Sequence, residues 1–102
     1  MDLQRLLKEA QKMQNQLGKI EEELAATIYE GSAGGNGVKV SINGNYQIEN
    51  IEIDAELLEK DNKEMIQDMI KIAVNDASKK AADDRQKKTG SVTSGVKVPG
   101  MF

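Results

Sequence analysis

Leu3, Leu6, Ala10, Met13, Leu17, Ile20 and Leu24 follow one another at spacings of three and four. That is the a/d pattern of a helix with one narrow apolar seam. Six of the seven are bulky, and Asp2 stands where an N-cap belongs. A helix over 2–26 would be about 37 Å long at ~1.5 Å per residue. A compact domain of this size has a radius of gyration of only ~13 Å. The pattern therefore predicts a helix that projects from the body and buries its seam on a second surface, either a symmetry mate or the chain's other long helix. Gly18 interrupts it and marks close packing or a flexible point.

The period then changes from 3.6 to 2. Thr27 to Glu30 reads as a short strand, and Gly31 to Gly37 as a turn-rich loop. Val38, Val40 and Ile42 alternate with Lys39, Ser41 and Asn43, a half-buried strand. Asn43-Gly44 is a hairpin signal. Tyr46 and Ile48 share one parity while Ile51 and Ile53 take the other, so either a bulge near Glu49-Asn50 or a strand buried on both sides is expected. The segment predicts a three-stranded antiparallel meander.

Asp54 is placed to cap a short turn over 55–59, and Asp61 to Glu64 has capping-box spacing. A second long helix follows over 62–88. Its first half carries Met65, Ile66, Met69, Ile70, Ile72, Ala73, Val74 and Ala77. That stripe is too wide for one contact, so the sheet and a partner are both expected against it, with Met69 and Ala73 in the dimer and core seam. The second half is charged and predicts a projection into solvent. Residues 1–88 read as one α+β domain of order α-β-β-β-α, with two long helices flanking the sheet. Residues 89–102, containing Gly, Ser, Val and one Pro, read as a flexible C-terminal tail.

Composition sharpens this picture. At 102 residues, 38% hydrophobic and three aromatics, the core of a lone protomer would be thin, and such chains gain stability by oligomerising. The net charge of −3 hides a segregated field. Residues 1–19 hold four bases and two acids, residues 20–78 four and thirteen, and residues 79–102 six and two. On the first helix Arg5, Lys12 and Lys19 fall at heptad position c and Lys8 at f, among Gln4, Gln11, Gln14, Asn15 and Gln16. On the second, Lys79, Lys80, Arg85, Lys87 and Lys88 cluster around Asp83 and Asp84. These nine bases are the candidates for neutralising phosphate. Scarce aromatics argue against base stacking, so contact with a duplex backbone is expected instead.

Other chemistry finds little footing. With no cysteine and no histidine there is no disulfide, no thiolate metal site and no imidazole base. The serines lack an activating partner, and no cofactor or catalytic activity is expected. The glycine loop at 31–37 lacks the Lys-Ser/Thr of a phosphate loop. Glu21, Glu22 and Glu23 point in different directions on a helix and read as a solvated face. No apolar run is long enough to span a membrane and the first residues lack a signal-peptide core, so a cytoplasmic protein is expected.

Several segments resemble the YbaB/EbfC family of bacterial nucleoid-associated proteins. They are Leu7-Lys8-Glu9-Ala10-Gln11-Lys12-Met13-Gln14, Val38 to Gly44, Ile53-Asp54 with Leu57-Leu58, Asp61, Lys63-Glu64-Met65, Ala73 to Ala77, and the closing Pro99-Gly100-Met101-Phe102. Each is weak alone, but in this order they cover nearly all of the chain. The resemblance implies a tweezer-like homodimer whose paired helical arms extend from a shared sheet. It implies binding of double-stranded DNA with low or variable selectivity, at the nucleoid, with effects on nucleoid organisation and gene expression. Lys8 and Lys12 match basic positions of the family motif, whereas the other seven bases are assigned from charge placement. The rival expectation is a coiled-coil adaptor for proteins of replication or recombination, which the seam and the tail fit equally well.

Overall fold

The computed structural model describes residues 2–93. Its order is α1 (Leu3–Ala26), β1 (Ile28–Ala33), β2 (Val38–Asn43), β3 (Ile48–Ile53), two single 3-10 turns and α2 (Lys63–Thr93). This is the α-β-β-β-α order and α+β class that the hydrophobic pattern predicts. The Asp2 carboxylate accepts from the Arg5 N–H at 3.4 Å, capping α1 as expected. At the other end Thr27 is extended, and its hydroxyl donates to the Glu23 carbonyl at 2.6 Å.

The three strands form one antiparallel meander in the order β1-β2-β3. β1 runs on to Ala33, three residues further than expected, and the connecting loop shrinks to 34–37. The reason lies in packing against α2. A β-carbon on Gly31 would sit 2.1 Å from the Ala73 carbonyl oxygen, so only glycine lets this strand lie against the helix backbone. Facing it, α2 presents a buried stripe of Ala73, Ala77 and Ala81, small residues that permit the same close approach. Val38, Val40 and Ile42 of β2 complete the core.

The expected bulge is present. Ser41 pairs with Asn50 but Ile42 pairs with Ile48, leaving Glu49 as the extra residue. It resets the parity, so Ile48, Ile51 and Ile53 all pair with core residues of β2 and share their face. Yet α2 lies over β1 and β2 and scarcely reaches β3. Ile48 is therefore 50% exposed and Ile51 42% exposed, on the core side of the sheet.

Local expectations are met in part and corrected in part. Asn43-Gly44 does open the β2–β3 hairpin, through a loop over 44–47. Asn43 ends β2 and its buried side chain organises the loop that follows, accepting from the Asn45 and Gln47 N–H groups at 2.9 and 3.2 Å. Tyr46 lies in that loop with φ 63°, not on a strand. Asp54 does cap a turn, accepting from the Glu56 N–H at 3.0 Å. Asp61, expected in a capping box, sits inside a 3-10 turn (Lys60–Asn62) that runs straight into α2. The second helix continues to Thr93 instead of ending at Lys88, so the first residues of the expected tail are helical. The remainder of that tail, 94–102, lies outside the described residues. Gly18 marks no close packing, because nothing lies within 4 Å of where its β-carbon would be.

The radius of gyration is 19.6 Å and the extents are 69 × 26 × 16 Å, well beyond the ~13 Å expected of a compact domain. Both long helices produce this shape. Along the α1 seam Leu24 is fully buried, Ile20 packs against the core, and Met13 and Leu17 are half-buried. Ala10, Leu6 and Leu3 are exposed, the last by 68%. On α2, Ala73 is buried and Met69 packs over the glycine loop, while Met65 and Ile72 face outward.

Candidate nucleic-acid interface

At ~100° per residue, Lys8, Lys12, Lys19 and Arg5 fall within about 60° of one another, on the side of α1 opposite its seam. All four are exposed. Burying the seam and exposing these bases are thus one consequence of the same heptad. Arg5, Lys8 and Lys12 line a shared open surface with Gln11 and Asn15. Arg5 pairs with Glu9 one turn on at 3.6 Å, with both side chains largely in water. Such a contact is worth little and yields readily to a phosphate. Lys8, Lys12 and Lys19 have no partner among the described residues.

The five bases of α2 do not form one face. Lys79 and Lys87 point into solvent. Lys80 donates to the Glu30 carbonyl at 2.8 Å and pairs with Asp76 at 3.5 Å. Lys88 pairs with Asp84 at 3.1 Å. Arg85 turns inward, its side chain only 27% exposed. It donates to the Glu21 carboxylate of α1 and, at 2.8 Å, to the Gly44 carbonyl, and its guanidinium lies 5.9 Å from the Tyr46 ring centroid. The Glu21 carboxylate raises the pKa of Arg85 above its ordinary value, and the Tyr46 hydroxyl adds to this against the opposing effect of burial.

Beside it, the Tyr29 hydroxyl of β1 donates to Asp84. Burial first, and then the Asp84 hydrogen bond, push the Tyr29 phenol up to about 12. The same hydroxyl, and then Lys88, hold the Asp84 carboxyl below the usual carboxylate range. Tyr29, Asp84, Glu21 and Gly44 were not singled out by the sequence reading as parts of a site. Glu21, read as part of a solvated face, has a structural partner. Counting from Leu3 as position a, it falls at e, the flank from which a helix reaches a neighbour, so a signal was there.

Among the described residues, no cluster of His, Cys, Asp or Glu is arranged to hold a metal ion, and no helix is long and apolar enough to cross a membrane. What the surface offers is a row of cations on a projecting helix. That arrangement can neutralise a polyanion.

Comparison with known proteins agrees with that chemistry. Residues 1–96 match the model of the YbaB/EbfC DNA-binding family. A nucleoid-associated protein of Chloroflexus aurantiacus is 42% identical over 102 residues, all of both chains. One of Pelotomaculum thermopropionicum is 43% identical over 101 residues, covering 99% of this chain and 96% of that one. The crystal structure of an uncharacterized protein from Helicobacter pylori superposes with a TM-score of 0.75 at 31% identity, over 85% of this chain and 91% of that one.

Proposed function

Because this chain belongs to the YbaB/EbfC DNA-binding family, we propose that it is a homodimeric nucleoid-associated protein that grips double-stranded DNA, chiefly through the phosphate backbone. The observation that carries this reading is the row Arg5, Lys8, Lys12 and Lys19 on one exposed face of α1, opposite the seam. Lys79 and Lys87 add free charge on α2, Lys80 is available by exchange of an exposed pair, and Lys88 lends its charge while still held by Asp84. The acidic middle of the chain keeps the body off the duplex and leaves contact to the arms. Phosphate contacts position a protein without reading sequence, so selectivity is low. Such a protein works in the cytoplasm at the nucleoid and influences DNA organisation and gene expression.

A second copy is the partner that the apolar surface suits. β3 is an open edge with uncovered isoleucines on its core side, and the outer half of the α1 seam is bare. Pairing of two protomers through the sheet would cover the first and set two sets of arms around a duplex.

Fluorescence anisotropy with a mixed-sequence duplex between about 50 and 200 mM salt tests the proposal, since each neutralised phosphate contributes about −0.9 to the slope of log K against log salt. The wild type binds with a steep slope. The variant R5E/K8E/K12E loses duplex binding and keeps its oligomeric state in light scattering. Undiminished affinity in that variant would sink the phosphate reading. Capture of a replication or recombination protein that survives salt able to strip DNA would point to an adaptor instead.

A further inference from the structure

We infer that Arg85 is a positioning residue: it fixes the angle at which α1 leaves the body, and with it the opening between helices into which a duplex must fit. The inference rests on the duplex-binding reading above, and it separates Arg85 from the phosphate-binding bases among which its charge placed it.

α1 is attached to the body over a short stretch. Leu24 is fully buried, and the Gly44 N–H donates to the Leu24 carbonyl at 2.9 Å. A β-carbon on Gly44 would lie 2.1 Å from that same oxygen, so the β2–β3 loop sits directly on the helix end. This contact is a pivot. Ile20, one turn further up, packs against the core, but apolar packing is non-directional, and a second, directional contact at a different level is needed to fix the angle.

Arg85 supplies that second contact. Its Nη1 bonds Glu21, three residues up α1 from Leu24, and its Nη2 bonds the Gly44 carbonyl at the pivot itself. One planar fork thus spans both points, the geometry in which Arg outperforms Lys. The Tyr46 ring, held at φ 63° in the same loop, lies 5.9 Å away. The foundation of the tie is anchored as well, because the preceding residue, Asp84, bonds Tyr29 of β1 and Lys88 of α2. Nη1 and Nη2 are both bonded inward, and the Nε, which has no partner, is buried and so closed to a phosphate.

Duplex affinity and its salt slope, measured on the full chain for E21A, R85A, R85K and the swap E21R/R85E, test this. Electrostatics alone makes E21A bind DNA more tightly, since an acid is removed. The brace predicts the opposite. E21A and R85A both weaken binding about tenfold, as when the competent arrangement falls to roughly a tenth of the population, with the salt slope unchanged. R85K loses nearly as much as R85A, and the swap, which restores the ion pair but sets a carboxylate against the Gly44 carbonyl, regains only part of the affinity. Distances between spin labels at Q14C and Q86C, unique sites in a chain without cysteine, broaden in E21A and R85A and narrow in part in the swap.

A slope reduced by about 0.9 in R85A, together with wild-type or tighter binding in E21A, would make Arg85 a phosphate ligand and overturn the inference. Failure of the wild type to bind any duplex would remove the DNA reading, and the label distances would still decide the brace. An unchanged distribution in E21A and R85A would refute it.

Discussion

At the scale of single residues, the charged groups near the pivot are paired in ways that tie stability to pH. Tyr29 titrates near 12 in the fold against an ordinary value of 10.0. A raised pKa means that the fold favours the neutral phenol. Its contribution is complete below pH 10.0 and is lost as pH rises toward about 12. Asp84 has the opposite sign. Its lowered pKa contributes above the ordinary carboxylate range and is lost as the solution is acidified through the folded value. Urea denaturation of wild type and Y29F should therefore converge between pH 10 and 12, the wild type losing its advantage. Parallel stabilities across that window would mean that the hydroxyl does not sense Asp84. None of these pairs was legible from composition. Asp83 and Asp84 stand side by side amid lysines, and only the fold separates them, with Asp84 turned toward Tyr29 and Asp83 left in water.

At the scale of elements, what the chain announces is periodicity. The a/d spacing of α1, the alternation of β2 and the phase slip before Ile51 each translate into a helix, a half-buried strand and a bulge at Glu49. The structure departs from the pattern where backbone freedom and tertiary contact compete. Gly31 looked like loop because glycine disfavours strands, yet contact with the α2 backbone requires it in β1. Thr89, Gly90 and Ser91 read as tail by propensity, and the helix continues through them. Gly18 is the converse case, a glycine with open space around it in mid-helix. G18A should therefore stabilise α1 by about 1 kcal/mol, seen as a higher denaturation midpoint with no change in DNA affinity at saturating fold. A loss of stability would show that the position is covered by a second copy.

At the scale of the molecule, the shape is that of a small sheet carrying two long helices, and its core is sparse. Alanines line the helix side, and β3 is left half-covered. Association that covers β3 binds the folded state alone, so the melting temperature should rise with protein concentration. I48D/I51D, which keeps the strand but makes its core face acidic, should remove that dependence and yield a less stable monomer. A concentration-independent wild-type melting curve would mean that assembly lies elsewhere. The contact between Gly44 and Leu24 has one more consequence. From that point to Leu3 the helix is a lever of about 31 Å at ~1.5 Å per residue. A tilt of only ~10° at the fulcrum sweeps the far end through about 5 Å over such a length. That travel is close to the ~6 Å width of the minor groove. Small torques at the hinge become groove-sized displacements at the tip, and thermal agitation there is amplified by the same ratio.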